Sequence, residues 1–514
     1  MASMYDYNVV LRDLQSYWST RKQALIKFWD FYYGERQKFY LDMFEGETYE
    51  EYNKRMFSAA IENHCAKTCD VLVGYLYGQP ESKNRVVVRI VDGDGELVKG
   101  ANELLQKNVW RFNGMDSFRV KTALMSSVTG VGIVRKNFVD KRTKLPFKST
   151  TSKEEKKKYG SIRYDLYDTV DAVPLPLQTE SGDTYPNILG AVVRFYARDN
   201  FSGITPLDRL MQKTYSEEEV LEVYDGARFV RAVVQNGAPV PDKITTTPNP
   251  YKSIDIPFTL FPNYGDPVYL EGSSDLAQMT SLQNVLNEVN NADKMTIDYH
   301  SYPLLVLTGG AKLPTNFVRK VNSGLEMDIN QDVKYLTWDN VLEASNIFKE
   351  SVRKQMTVTS GVSQISRGNA TDIGQVRSGA GLKTLFQADI NAVGLKIPLF
   401  RRAEEELALS TLEMWKQETG ESFGEELYCE VEFPADFVGL DELLKAQTEQ
   451  IDLSNRTRTI EEIVLSKHPE ITSEEELAEH VKEALDQQKQ IAQSVKPVQP
   501  QSSEKKSQEQ QKPK

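Results

Sequence analysis

Few stretches of this 514-residue chain have the residue types and spacing that chemistry needs. The most suggestive is "GQVRSGAGLKTLF", Gly374 to Phe386, with three glycines, two cations and a threonine. Glycine-rich turns before helices can cradle a phosphate on backbone N–H groups. The nucleotide-hydrolase loop, however, closes on Gly-Lys-Ser/Thr. Here Leu382 separates Gly381 from Lys383, so the cation falls on the wrong side of the turn. The dinucleotide fingerprint needs a third glycine where "GAGLKT" has Thr384, and a buried strand before it. Gln364 to Arg377 is instead polar and loop-like. The enzyme alternative, a nucleotide-dependent DNA-processing protein, would have to use Arg377, Lys383 and Thr384; neither catalytic nor cofactor-binding residues are expected.

Metal chemistry fares no better. Cys65 and Cys69 are four apart beside His64, but the third cysteine, Cys429, is remote, and a structural zinc needs four ligands. Buried helical thiols in a reducing compartment are expected instead. His64, His300, His468 and His480 share no zincin spacing. "DGDGE" lacks the remaining acids of a calcium loop. Asp165, Asp168 and Asp171 lie in a strand-like segment where spacing by three scatters them over both faces, so solvated loop and edge acids are expected. No metal or cofactor is expected.

Net charge is −12 with no dominating basic block. A tight duplex binder neutralises phosphates with Lys and Arg; this chain can meet DNA without gripping it. No apolar run approaches the ~18–20 residues of a spanning helix. "MASMYDYNVVLRDLQ" lacks the basic and apolar regions of a secretory signal. A cytosolic protein without a membrane partner is expected.

The elements that would carry these residues read as α+β. "VLRDLQSYWSTRKQALIKFWDFYYGE" places Leu11, Leu14, Trp18, Leu25, Phe28, Trp29 and Tyr32 at helical intervals and stops at Gly34. A second helix runs from Tyr49 to Gly78, with Pro80 beyond. From about Val86 to Pro262 the chain turns to strands: "RVVVRIVDGDGELV" reads as a hairpin, followed by "LYDTVDAVPLP", "AVVRFYARD" and "RFVRAVVQNG". One helix, "GANELLQKNVWRFNGMDSFRVKTALMSSVTG", interrupts them, and "KEEKKKYG" at 153–160 reads as a solvated charged loop. Ser273 or Ser274 can cap a helix with Leu276, Met279, Leu282, Leu286 and Val289 on its apolar face. A small β-module and the helix "NVLEASNIFKESVRKQMTVTS" complete a stalk with something at its tip.

Between Gly361 and Ser378 glycines space out a loop with few apolar residues, which favours movement. Its contact groups are Gln364, Ser366, Asn369, Thr371 and Gln375, with cations Arg367 and Arg377 opposed by Asp372. A long helix from Gly379 to about Gln417 follows, with a kink expected at Pro398. After the strand "YCEVEFP" come short helices over 438–494, two opening with the capping boxes Thr459…Glu462 and Ser473…Glu476. The Gln-, Ser-, Lys- and Pro-rich tail 495–514 is expected to be disordered.

"FYYGER", "FPNYGDPVYLEGSSDLAQMTSLQNVLNEVNNADK…YHSYPLLVLTGG", "VTSGVSQISRG" and "RSGAGLKTLF" occur here in one order. In them, over about 20–490, the chain resembles the portal proteins of tailed bacteriophages, in the family found in long-tailed phages of Gram-positive hosts. The resemblance implies a multi-domain portal architecture assembled as a ring, typically of twelve subunits, at one capsid vertex. Residues 1–272 would be the wing, 273–300 and 341–360 the two-helix stem, and 301–340 the β-rich clip. Residues 361–378 would be the tunnel loop, 379–437 the kinked channel helix with a return strand of the wing, and 438–494 the helical crown.

Such a protein is not an enzyme. It is a conduit for DNA packaging and ejection, found in the virion and, during assembly, in host cytoplasm. Its implied partners are double-stranded DNA in transit, the terminase packaging motor, a head-completion adaptor, and the major capsid and scaffolding proteins. Gln364, Arg367, Asn369, Gln375, Arg377 and Lys383 would be the DNA-channel residues. Twelve copies would carry on the order of −140 charges, consistent with low affinity for a passing polyanion. A helical adaptor or scaffold protein that never touches DNA is the other alternative.

Overall fold

The computed structural model describes residues 21–78, 86–178, 184–199, 217–235, 238–249, 256–264, 272–301, 304–308, 332–336, 341–367, 386–424, 426–433 and 459–467, with short pieces at 251, 270 and 477–482. Helix α1, described over 21–33, ends at Gly34, whose φ of 80° suits only glycine without strain. Leu25 is buried, and Phe28, Trp29 and Tyr32 pack against the core that contains Phe31. Phe31, absent from the expected stripe, is the most buried of the helix. Leu11, Leu14 and Trp18 lie outside the described residues.

The helix expected from Tyr49 to Gly78 is in fact two, α2 (Tyr49–Phe57) and α3 (His64–Tyr77). Thr48 and Glu51 close a capping box on α2, and Asn63 caps α3 by accepting Ala66 N–H. Cys65 and Cys69 are fully buried on α3, and burial pushes both thiols up. Strand β1 (Val87–Val91) is joined to Leu97 by one bridge only, so the expected hairpin is a turn. The Asp92 carboxylate accepts the N–H groups of Asp94 and Glu96, using the acid of "DGDGE" for the turn itself. The ladder partner of β1 is the distant β12 (Tyr428–Glu432), antiparallel, with Ile90 opposite Cys429.

The interrupting helix is also divided. Short α4 (Lys99–Glu103) leads into a π-helical turn, Leu104–Trp110, then α5 (Arg111–Asn113). Gly114, with φ 60°, separates these from α6 (Met115–Thr129). Next come β2 (Val131–Asp140), α7 (Lys153–Tyr159) and β3 (Gly160–Tyr167). The solvated loop expected at 153–160 is therefore a helix. Ser152 caps it, and Lys156 and Lys157 pair with Glu418 and Glu421 at 2.6 and 2.8 Å.

"LYDTVDAVPLP" is likewise not one strand: Asp168 turns the chain by accepting Asp171 and Ala172 N–H groups on its carbonyl. Its carboxylate accepts from Trp29 Nε1 and is half-buried, against the expected solvated acid. Beyond the turn, β4 (Ala172–Gln178), β5 (Thr184–Asp199), β6 (Glu217–Asp225), β7 (Arg228–Gln235) and β8 (Ala238–Pro248) form a five-stranded antiparallel meander. Strand β9 (Phe258–Pro262) returns to the body and makes the three-stranded sheet β3-β2-β9.

Helix α8 (Met279–Ser301) is preceded by a turn in which Ser274 Oγ accepts Leu276 N–H. An antiparallel pair, β10 (Leu304–Thr308) with β11 (Asp332–Leu336), separates it from α9 (Val341–Ser360). The two helices pack together. Asp293 accepts from Ser345 and Lys349 at one level, and Leu286 shares a core with Val352 and Met356 at another. Their body end is pinned by glycines: a Cβ on Gly130 would lie 2.1 Å from the Gly272 carbonyl oxygen, so the backbones there touch.

Polar side chains four apart on α8 explain the break between α2 and α3. Gln283 accepts His64 N–H and donates to the Glu62 carbonyl. Asn287 donates to Gln37, and Asn291 takes both Ala60 N–H and carbonyl. Side chains of α8 thus supply the hydrogen bonds that a continuous helix would have made internally.

The final long helix, α10 (Gln387–Thr419), runs 33 residues without interruption at Pro398. It buries Val393, Phe400, Leu407 and Trp415 in the main core with α3, α6 and β2. Each such side chain contributes roughly 1.5–3 kcal/mol. After β12 comes α11 (Ile460–Lys467), where Thr459 and Glu462 form the expected capping box. The Ser473…Glu476 box lies outside the described residues.

Candidate channel loop and its anchorage

The chain leaves the end of α9 at Gly361, whose φ of 67° turns it sharply against Ala392. Val362 is fully buried in the main core. A single turn follows: Ser363 Oγ accepts Ser366 N–H at 3.2 Å and the Ser363 carbonyl accepts Arg367 N–H at 3.3 Å. The fully buried carboxylate of Asp389, in the first turn of α10, accepts Ser363 N–H at 2.8 Å and Ser366 O–H at 3.0 Å. Tyr75 shares the Ser366 hydroxyl at 3.1 Å.

Arg367 points back toward α9, donating to the Met356 carbonyl at 3.0 Å and to the Ser360 hydroxyl. Its Nε meets no acceptor among the described residues, and burial pulls the guanidinium down to about 10. Gln364 is half-buried on the same turn. Asn369, Gln375, Arg377 and Lys383 lie outside the described residues, as does most of the opening "GQVRSGAGLKTLF".

Helix α10 ties this root to the rest of the molecule along one stripe. Lys396 meets Asp275, just before α8, at 2.5 Å and Asn263 at 2.7 Å, with Ser127 also donating to Asp275. Glu404 takes a bidentate pair from Arg119 at 2.9 and 3.0 Å and a hydrogen bond from Tyr77. Thr411 bonds Tyr164 at 2.8 Å, and Glu418 binds Lys156. Asp389, Lys396, Glu404, Thr411 and Glu418 recur every seven or eight residues, about two turns of helix. Each reaches a different part of the fold: the Ser363–Arg367 turn, the turn before α8, α6, β3 and α7. Among the described residues no group of three or more His, Cys, Asp or Glu side chains could hold a metal. No described helix is long and apolar enough to cross a membrane.

Residues 13–494 match the family model described as phage portal protein, SPP1 Gp6-like. The chain belongs to that portal family. It is a structural protein of the phage particle, without enzymatic activity. No curated protein matches it in sequence. Among solved structures, a chain of the "Virion of native gene transfer agent (GTA) particle" is similar at 9% identity. The match covers 78% of this chain and 89% of that one, with a TM-score of 0.42. A chain of the "Neck of native GTA particle computed with C12 symmetry" is similar at 10% identity, over 76% and 84%, with a TM-score of 0.41.

Of the six channel residues expected for this portal chain, the described structure brings together Gln364 and Arg367 on the root turn. Asp389 and Tyr75 escaped the sequence reading. Asp389 sits in an amphipathic helix where an acid normally faces solvent, and Tyr75 is nearly 300 residues from Ser366. One signal was present: serines at 363 and 366 have the spacing of a side chain that caps a turn.

Proposed function

We propose that this protein is the subunit of a ring at one capsid vertex, a conduit through which DNA enters and leaves the particle. Membership of the portal family over residues 13–494 carries this reading. The paired helices α8 and α9, with the β10–β11 pair between them in sequence, have the order of a stem and clip. On this assignment residues 1–272 with β12 form the wing, 273–300 and 341–360 the stem, and 301–340 the clip. Residues 361–378 form the tunnel loop, and 379–437 hold its supporting helix and the return strand; 438–494 form the crown.

On this reading the clip meets the terminase motor and later the head-completion adaptor; the major capsid and scaffolding proteins are the remaining protein partners. The chemistry required of the conduit is weak contact. Each lysine–phosphate pair would have to break as DNA advances, and a chain of net charge −12 without a basic block avoids that cost. Asn369, Gln375, Arg377 and Lys383 are the proposed DNA-facing groups. Negative-stain images of the purified protein are expected to show rings with a central hole wide enough for duplex DNA. Compact monomers at all concentrations would sink the proposal and favour the adaptor reading.

A further inference from the structure

The loop root joins two helix ends of opposite polarity. A cation, Arg367, donates to the last turns of α9, where carbonyls point outward, and an anion, Asp389, occupies the first turn of α10. Both placements favour the helix dipoles. Between them the turn Ser363–Arg367 closes on itself and hydrogen-bonds Asp389 twice. Residue 367 and residue 387 are therefore held at one place, whatever the intervening segment does.

We propose that Ser363–Arg367 is a fixed clasp in which Asp389 and Arg367 are positioning residues, so that the DNA-facing part of the loop begins only after Arg367. The word DNA rests on the portal reading; the clasp does not. An arginine that gripped phosphate would have to surrender the Met356 carbonyl and the Ser360 hydroxyl, then leave a half-buried site. Tyr75 and the buried Val362 add contacts that hold the turn against α3 and the core. Because the clasp brings the ends together, doubling the length between them costs only about 0.6 kcal/mol.

Amide hydrogen exchange on the assembled full-length protein tests this. In the wild type the amides of Ser363, Ser366 and Arg367 are expected to be protected. Asp389→Ala and the milder Ser366→Ala should speed them at least tenfold, while amides of 407–415 in α10 keep their rates and report an intact fold. Unprotected root amides in the wild type, or unchanged rates in both variants, overturn the clasp. Arg367→Ala should speed the same amides and leave the salt dependence of DNA packaging unchanged. A shallower salt dependence overturns the assignment of Arg367 to the clasp. Failure of the conduit reading would show in the ring images and leave the exchange result standing.

Discussion

The side chain of Lys136 shows how far one buried charge can shape behaviour. It lies on β2, 1% exposed, donating to Thr259 and Ser410 hydroxyls at 2.8 and 2.7 Å. Burial pulls its ammonium down to about 8, with Glu406 acting in the other direction. Below pH 8 both folded and unfolded chains hold the proton, and the folded state carries the full cost, roughly 3 kcal/mol. Between pH 8 and the ordinary value of 10.5 the unfolded chain binds more protons, so stability rises with pH. Thermal unfolding across pH 7–10.5 should show that rise, and Lys136→Met should flatten it while raising stability at pH 7. An unchanged slope in the variant would refute the account. Lys136 was invisible in sequence as a buried group: it opens a lysine-rich stretch, and its acceptors Thr259 and Ser410 are more than a hundred residues away.

At the level of elements, what the sequence disclosed and what it hid divide by the distance of the partner. Gly34, the Thr459–Glu462 box and the amphipathic helices α8 and α9 are local signals, and the structure carries them where expected. The break after Phe57 and the helix at 153–159 were missed because their hydrogen bonds and ion pairs come from residues hundreds of positions away. Asn287 marks the centre of such an arrangement: fully buried, it donates to Gln37 at 2.7 Å and accepts from Gln283 at 2.9 Å. Asn287→Ala strands two buried amides and should cost about 1–3 kcal/mol in denaturant unfolding. It should also loosen the joint between α8 and the 58–64 segment, seen as faster exchange at Ala60 and His64. A loss below a few tenths of a kcal/mol would mean that the ladder is incidental. The candidate site divides the same way: the local spacing of Ser363 and Ser366 is legible in the sequence, while their buried partner Asp389, some two dozen residues on, is not.

For the whole molecule, the prediction concerns how much chain can be removed without harm. With few apolar residues between 364 and 376, shortening the whole segment would be expected to spare assembly, but Ser366 and Arg367 are tied to the body. The deletion that separates structure from transport is therefore 368–376. It should leave rings intact in negative stain and reduce packaged DNA severalfold; loss of rings would show that the segment holds subunits together. Helix α10 imposes the opposite rule. Its five attachments at 389, 396, 404, 411 and 418 keep one stripe only while each residue advances about 100° and 1.5 Å. A single inserted residue between Asp389 and Lys396 would swing the loop-root carboxylate about 100° out of phase with the contacts to Asp275, α6, β3 and α7 together. The helix thus acts as a graduated ruler: even two added turns, which restore the angle, would move Asp389 about 10 Å along the axis and out of reach of Ser363 and Ser366, so no change of length keeps all five attachments.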